Sequence, residues 1–173
     1  MNLADSDEDI AEYIAAEDFH SEYYLGLYEA GKVIALDMNV NFYADAFAAS
    51  VANGLTFLAQ NDPPYSIHCT EGKDRAGFTA MVLEALMGAG FQEIIDDCML
   101  SFYNYYGITK ETEPERYEVV LNNNLYAMMY HVTGTNSYEE LTQVDLESAV
   151  TNYLLNAGMT EDDILTLKTK LSG

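Results

Sequence analysis

The order of apolar and polar positions divides the chain into a front part with short extended runs and a longer helical remainder. Ser6 precedes an acidic first turn, Asp7-Glu8-Asp9, which predicts a capped helix of about two turns. A second helix is expected over 21–30, stopped by Gly31, and residues 32–38 read as a strand. From Asn41 onward, Phe42, Phe47, Val51, Leu55 and Leu58 share one face of a helix of about 18 residues. Asn61-Asp62-Pro63-Pro64 ends it and turns the chain into a short buried strand, 64–67. Residues 76–87 are almost wholly apolar and predict a buried central helix, terminated by Gly88 and Gly90. Further helices are expected over 91–106, 113–132, 146–156 and 160–171, with breaks at Gly107, Gly134 and Gly158. Asp145 and Thr160 are the expected N-caps.

Strand, helix, strand, helix and a helical tail predict an α/β fold. In it a central sheet is flanked by helices, and 108–173 form a helical C-terminal part of a single domain, 1–173. The start, Met1-Asn2-Leu3-Ala4-Asp5, reads as the end of a strand and its exit loop. An N-terminally truncated sheet is therefore expected, with an open edge that a partner or second copy would cover.

Composition narrows the class. A hydrophobic fraction of 49% suits a globular core, and 29 acidic against 7 basic residues give a net charge of -22. Such a chain repels nucleic acid and anionic membranes. Two cysteines, Cys69 and Cys98, make no disulfide framework and no metal spacing. No run of about 18 apolar residues and no signal sequence is present, so the compartment stays open, the cytoplasm being the default reading.

Charge also points to one stretch. Lys73 and Arg75, two of the 7 basic residues, lie in His68-Cys69-Thr70-Glu71-Gly72-Lys73-Asp74-Arg75-Ala76-Gly77, between an expected strand and an expected helix. Successive N–H groups of such a loop and the helix N-terminus form a site for a doubly charged oxyanion. The same donors and a nearby cation lower a thiol pKa, which makes Cys69 a candidate nucleophile. A bidentate Arg75 holds two phosphoryl oxygens, and Gly72 lets the amides turn inward. Thr70, Glu71, Gly72, Lys73, Asp74 and Arg75 are the expected phosphate-binding positions. The expected reaction is phosphoryl transfer to Cys69 followed by attack of water, with no metal or cofactor, since amides and Arg75 neutralise the charge.

Blander readings stand beside each of these. Cys69 is otherwise a structural or redox thiol, and Arg75 a surface ion-pair partner. His68 either packs or supports the loop; support is the better reading. Cys98 reads as core, with a resolving thiol as the alternative. His20 and His131 read as structural. Tyr23, Tyr24 and Tyr28, like Tyr103, Tyr105 and Tyr106, either pack or line a cleft, and packing is favoured.

Residues 68–77 resemble the signature of the protein tyrosine phosphatase superfamily, histidine-cysteine-five residues-arginine. The Gly72-Lys73-Asp74-Arg75 core looks like the bacterial branch of tyrosine/serine phosphatases, with dual-specificity and phosphoinositide-active members. Asn2-Leu3-Ala4-Asp5 is similar to the family's first conserved strand end, and 88–97 resembles the helix-loop-helix after its catalytic helix. The resemblance implies a central sheet flanked by helices, Cys69 as nucleophile and Arg75 as phosphate clamp. It associates Lys73 and Asp74 with broadened substrate choice. It also implies a phosphorylated protein or another phosphomonoester, including a phosphoinositide, as the binding partner.

Three departures from that pattern matter, one being the truncated start, where family members have already laid down sheet strands. Ala76 replaces the usual Thr or Ser, whose hydroxyl assists the leaving thiolate when the phosphoenzyme breaks down. The general acid is not marked: Asp74 and Asp5 are the better candidates and Asp37 a weaker third. The leading expectation is a cysteine-dependent phosphomonoester hydrolase with impaired turnover. The alternatives are a weakly active or inactive phosphate-binding module and, lower, an arsenate reductase or a sulfurtransferase.

Overall fold

The apolar runs at 32–38 and 64–67 are extended but build no strand. The computed structural model describes residues 1–173; it is 62% helical and contains no sheet. The expected central sheet flanked by helices is thereby overturned. Two isolated parallel bridges stand in its place, Asn2 with Ala35 and Asn2 with His68. Around them, Asn2 N–H donates to Ile34 (2.9 Å), Leu36 to Asn2 (3.0 Å), Met38 to Leu3 (3.0 Å) and Leu3 to His68 (2.9 Å). A ladder cannot lengthen here for local reasons. Pro63 and Pro64 have no N–H to donate. Asp37 takes a left-handed φ of 41°, which turns the second run out of the extended region. Asn2 folds the first run into a turn, its Oδ1 accepting from the N–H groups of Ala4 (2.9 Å) and Asp5 (3.1 Å). Without a sheet, the open sheet edge expected as a partner surface does not exist either.

The helices follow the local signals closely. Ser6 and Asp9 form the capping box of α1 (Asp7–Ala15), and Ser21 caps α2 (Glu22–Glu29). The stripe predicted from Asn41 lies on α3 (Asp45–Gln60), which buries Phe47, Val51, Leu55 and Leu58. The apolar helix after the cysteine loop is α4 (Arg75–Leu86), which buries Phe78, Thr79, Met81, Val82, Ala85 and Leu86. Next comes α5 (Phe91–Tyr106), ended by Gly107 at φ 72°. The helix expected over 113–132 is three pieces: α6 (Pro114–Val120), a π-helical turn (Leu121–Tyr126) and α7 (Ala127–Thr133). Asn122 Nδ2 donates to the Glu118 carbonyl (2.6 Å), competing with the helical ladder where the wider turn begins. A short α8 (Tyr138–Leu141), capped by Ser137, has no counterpart in the sequence reading. The last helices, α9 (Leu146–Asn156) and α10 (Glu161–Leu171), are capped by Asp145 and Thr160 as expected. No helix is long and apolar enough to cross a membrane.

α4 lies against α5 and α9, α10 covers α3, and α7 and α3 both meet α9. Phe78 is the centre of the aromatic part of the core. Its ring stacks on Phe42 (centroids 5.7 Å apart) and meets Phe47 (5.0 Å) edge-on. This packing anchors the first turns of α4, and so the loop that feeds it, to α3.

Phe78→Ala should therefore destabilise the fold by about 3–5 kcal/mol, the cost of a large core truncation. Urea unfolding followed by circular dichroism measures it; a loss under about 1 kcal/mol would show that the ring cluster does not anchor α4.

Candidate active site

The extended runs are parallel, so their C-terminal ends emerge on one side. Ala4-Asp5, Asp37-Met38 and the loop beginning at Cys69 meet there, just before α4. The joins are explicit. Asp37 N–H donates to the Asp5 carbonyl (3.1 Å). Arg75 Nη1 donates to the Met38 carbonyl (2.6 Å), and Nη2 donates to Thr70 Oγ1 (2.9 Å). Arg75 is thus held flat across its own loop. Its Nε is buried and has no protein acceptor, a costly state for a charged donor unless an anion is bound.

The loop backbone is similarly uncommitted. None of the N–H groups of residues 70–77 donates to a backbone carbonyl. Gly72 takes φ 76°, the left-handed conformation that lets neighbouring amides turn to a common side. Those of Ala76, Gly72 and Glu71 face the half-buried Cys69 sulfur. Burial alone pushes the Cys69 thiol up, but these three amides and the Arg75 guanidinium outweigh it, and the net shift is downward. Cys98 behaves oppositely: burial, reinforced by Asp97, Glu84 and Asp74, pushes its thiol up to about 12.

The remaining expected residues are placed as follows. His68 contributes its backbone, donating to the Met1 carbonyl (3.1 Å) and accepting from Leu3 (2.9 Å). Burial and the Met1 ammonium hold its imidazole below the usual value, against the opposing pull of Asp5. Asp5 is half-buried, and its Oδ2 accepts from Asn2 Nδ2 (2.8 Å). Lys73 does not extend over the loop. Its ammonium lies 2.7 Å from Glu71 Oε2 and 2.6 Å from Asp74 Oδ2. It also faces the rings of Phe102, Tyr105 and Tyr106 on α5, 5.7, 5.5 and 5.5 Å from their centroids. Tyr105 Oη donates to Glu71 Oε1 (2.9 Å). Asp74 occupies the N-cap position of α4 without capping it through its side chain.

Sequence reasoning did not identify the Met38 carbonyl as the anchor of Arg75, and no residue-type signal could have, since any residue offers a carbonyl. The aromatic face against Lys73 did leave a trace. Phe102, Tyr105 and Tyr106 are spaced i, i+3, i+4 and so share one side of a helix. A cavity of about 290 Å³ is lined by Gly88, Phe91, Leu141 and Glu147 among others and contains none of the loop residues.

The arrangement can bind a tetrahedral oxyanion against free amides and Arg75 Nε, with a thiolate at its base. A family model described as "Tyrosine phosphatase family" matches residues 15–173. No curated protein and no solved structure matches the chain.

At pH 7, iodoacetamide should alkylate Cys69 at least about tenfold faster than Cys98, because the thiol pKa is lowered at the former and raised at the latter. Peptide mass spectrometry over a time course reads this directly; equal rates would remove the basis for a reactive Cys69.

Proposed function

The chain belongs to the tyrosine phosphatase family, and from that premise we propose that it is a cysteine-dependent phosphomonoester hydrolase. The observation that carries the reading is a loop whose amides over 70–77 have no backbone acceptor, with those of Glu71, Gly72 and Ala76 facing the Cys69 sulfur beside an unpartnered Arg75 Nε. In the first step the Cys69 thiolate attacks phosphorus, an S–P bond forms, and the bond to the ester oxygen breaks. That oxygen leaves with a proton from a carboxylic acid. Water then attacks the phosphocysteine, giving its proton to the same carboxylate, and the S–P bond breaks to release phosphate and the thiolate. The amides and Arg75 balance the charge on the equatorial oxygens throughout.

For the acid, Asp5 is the better supported of the candidates. Asp74 is ion-paired with the Lys73 ammonium, whereas Asp5 accepts only from the neutral Asn2 amide and sits at the convergence of the three extended runs. The Gly72-Lys73-Asp74-Arg75 core supports a place in the bacterial branch of tyrosine/serine phosphatases. Within its substrate range, we favour phosphotyrosine or a similar single-phosphate ester over a phosphoinositide carrying further phosphates. The Lys73 ammonium, the nearest second cation, is already engaged by Glu71 and Asp74.

A second reading, a phosphate-binding module with little turnover, rests on Ala76. Its amide faces Cys69, but it has no hydroxyl to assist the departing sulfur. Thr79, one turn on, directs its hydroxyl to the Arg75 carbonyl (2.9 Å) instead.

With p-nitrophenyl phosphate, the protein should show a burst of nitrophenol followed by slow turnover. Cys69→Ser should lower the rate by about a thousandfold or more. Ala76→Thr should speed the steady state roughly tenfold. Vanadate binding without any burst would favour the module. No burst, together with equal or slower turnover in Ala76→Thr, would remove the role given to position 76.

Asp5→Asn should slow hydrolysis of phenyl phosphate by about a hundredfold and that of p-nitrophenyl phosphate much less, since a good leaving group needs no proton. If Asp74→Asn shows that leaving-group dependence and Asp5→Asn does not, the assignment passes to Asp74.

A further inference from the structure

Lys73 is the sole charged residue among the buried positions of the chain, with 8% of its surface exposed. An ammonium at that depth is costly unless it is fully paired. Here two carboxylates and three aromatic rings meet it and join two parts of the molecule. Glu71 and Asp74 come from the loop, while Phe102, Tyr105 and Tyr106 come from the last turns of α5. The contact is closed a second way by the Tyr105 hydroxyl on Glu71, and the Arg116 guanidinium of α6 lies over the Tyr106 ring, 4.9 Å from its centroid.

We propose that Lys73 is a positioning residue, a clamp that holds the cysteine loop in its anion-binding shape by fastening it to the aromatic end of α5. The need for such a clamp follows from the loop itself. Its amides over 70–77 make no backbone hydrogen bonds, so backbone pairing does not hold it in shape. Arg75 secures its C-terminal end through Met38 and Thr70. The middle, Glu71 to Asp74, is secured by the Lys73 cluster. Releasing it leaves Gly72, which has the widest conformational freedom of any residue type, free to swing two of the three sulfur-facing amides away. The inference deepens the phosphatase reading by naming how its loop is kept in register. It differs from a direct role of Lys73 at phosphate, because the ammonium is turned to carboxylates and rings.

The test reads the loop without substrate: the pH dependence of Cys69 alkylation by iodoacetamide, in the full chain. Tyr105→Phe and Tyr106→Leu alter exposed rings and preserve every charge near the sulfur at neutral pH. Each should move the alkylation midpoint to higher pH, slowing modification at pH 7 by about threefold or more. Lys73→Met should slow it by roughly tenfold, Lys73→Arg should restore most of the rate, and Lys73→Met combined with Tyr106→Leu should do little more than Lys73→Met alone. Unchanged profiles in the two tyrosine variants would overturn the clamp, even with a slowed Lys73→Met, since that variant would then act through charge alone. Should Lys73→Met fail to fold, the tyrosine variants decide. A protein that hydrolyses no phosphate ester still answers this experiment, so its outcome is separable from that of the phosphatase reading.

Discussion

A run of backbone donors with no backbone acceptor is the constraint around which this molecule is arranged. Backbone N–H groups that are withdrawn from water almost always find a partner, and those of 70–77, half-buried from Asp74 to Gly77, find none along the main chain. They can be kept in one place only by contacts made elsewhere. Arg75 supplies one such contact by reaching to Met38 and Thr70, and the ring cluster around Phe78 supplies another by seating the start of α4 on α3. The Lys73 ammonium is taken up by Glu71 and Asp74, so the positive character at the sulfur comes from dipoles and the Arg75 guanidinium rather than from net charge.

The extended front part shows how little pairing suffices to assemble such a site. Asn2 alone bridges two neighbours, yet because both bridges are parallel, three chain exits lie together. Asp5, Asp37 and Cys69 become neighbours through those few hydrogen bonds. The left-handed Asp37, one residue before the carbonyl that receives Arg75, is strain at the place where the geometry is most demanding. The helices form the bulk of the structure, and their work for the site is to seat the loop and close its flank.

Much of this was legible along the chain. Ser6, Asp145 and Thr160 announced their helices because capping is settled within four residues. The apolar stripe of α3 and the apolar run of α4 announced theirs because periodicity needs no distant partner. The cysteine loop was legible for the same reason: Cys69, Gly72, Arg75 and the helix start lie within a few residues, and their combined effect on a thiol is a local effect. The sheet was misjudged because β-branched and apolar content at 32–38 and 64–67 states only that a run is extended and half-buried. Whether it pairs depends on proline positions, on one φ angle and on the length of the neighbour. The π-helical turn escaped notice because the apolar pattern over 113–132 reads as one continuous helix and carries no mark of a wider turn.

The sequence by itself determined a cluster of helices with defined ends, a buried α4 and a cysteine-headed loop able to stabilise a thiolate, because each of these depends on residues within one or two turns of one another. Only the tertiary structure decided that the extended runs stop short of a sheet and that Arg75 rests on the Met38 carbonyl. It also turned Lys73 toward the rings of α5. The Arg75 anchor and the Lys73 face pit partners far apart in the chain against one another, which packing settles, while the missing sheet rests on the φ of Asp37 and the turn at Asn2, which residue type alone does not specify.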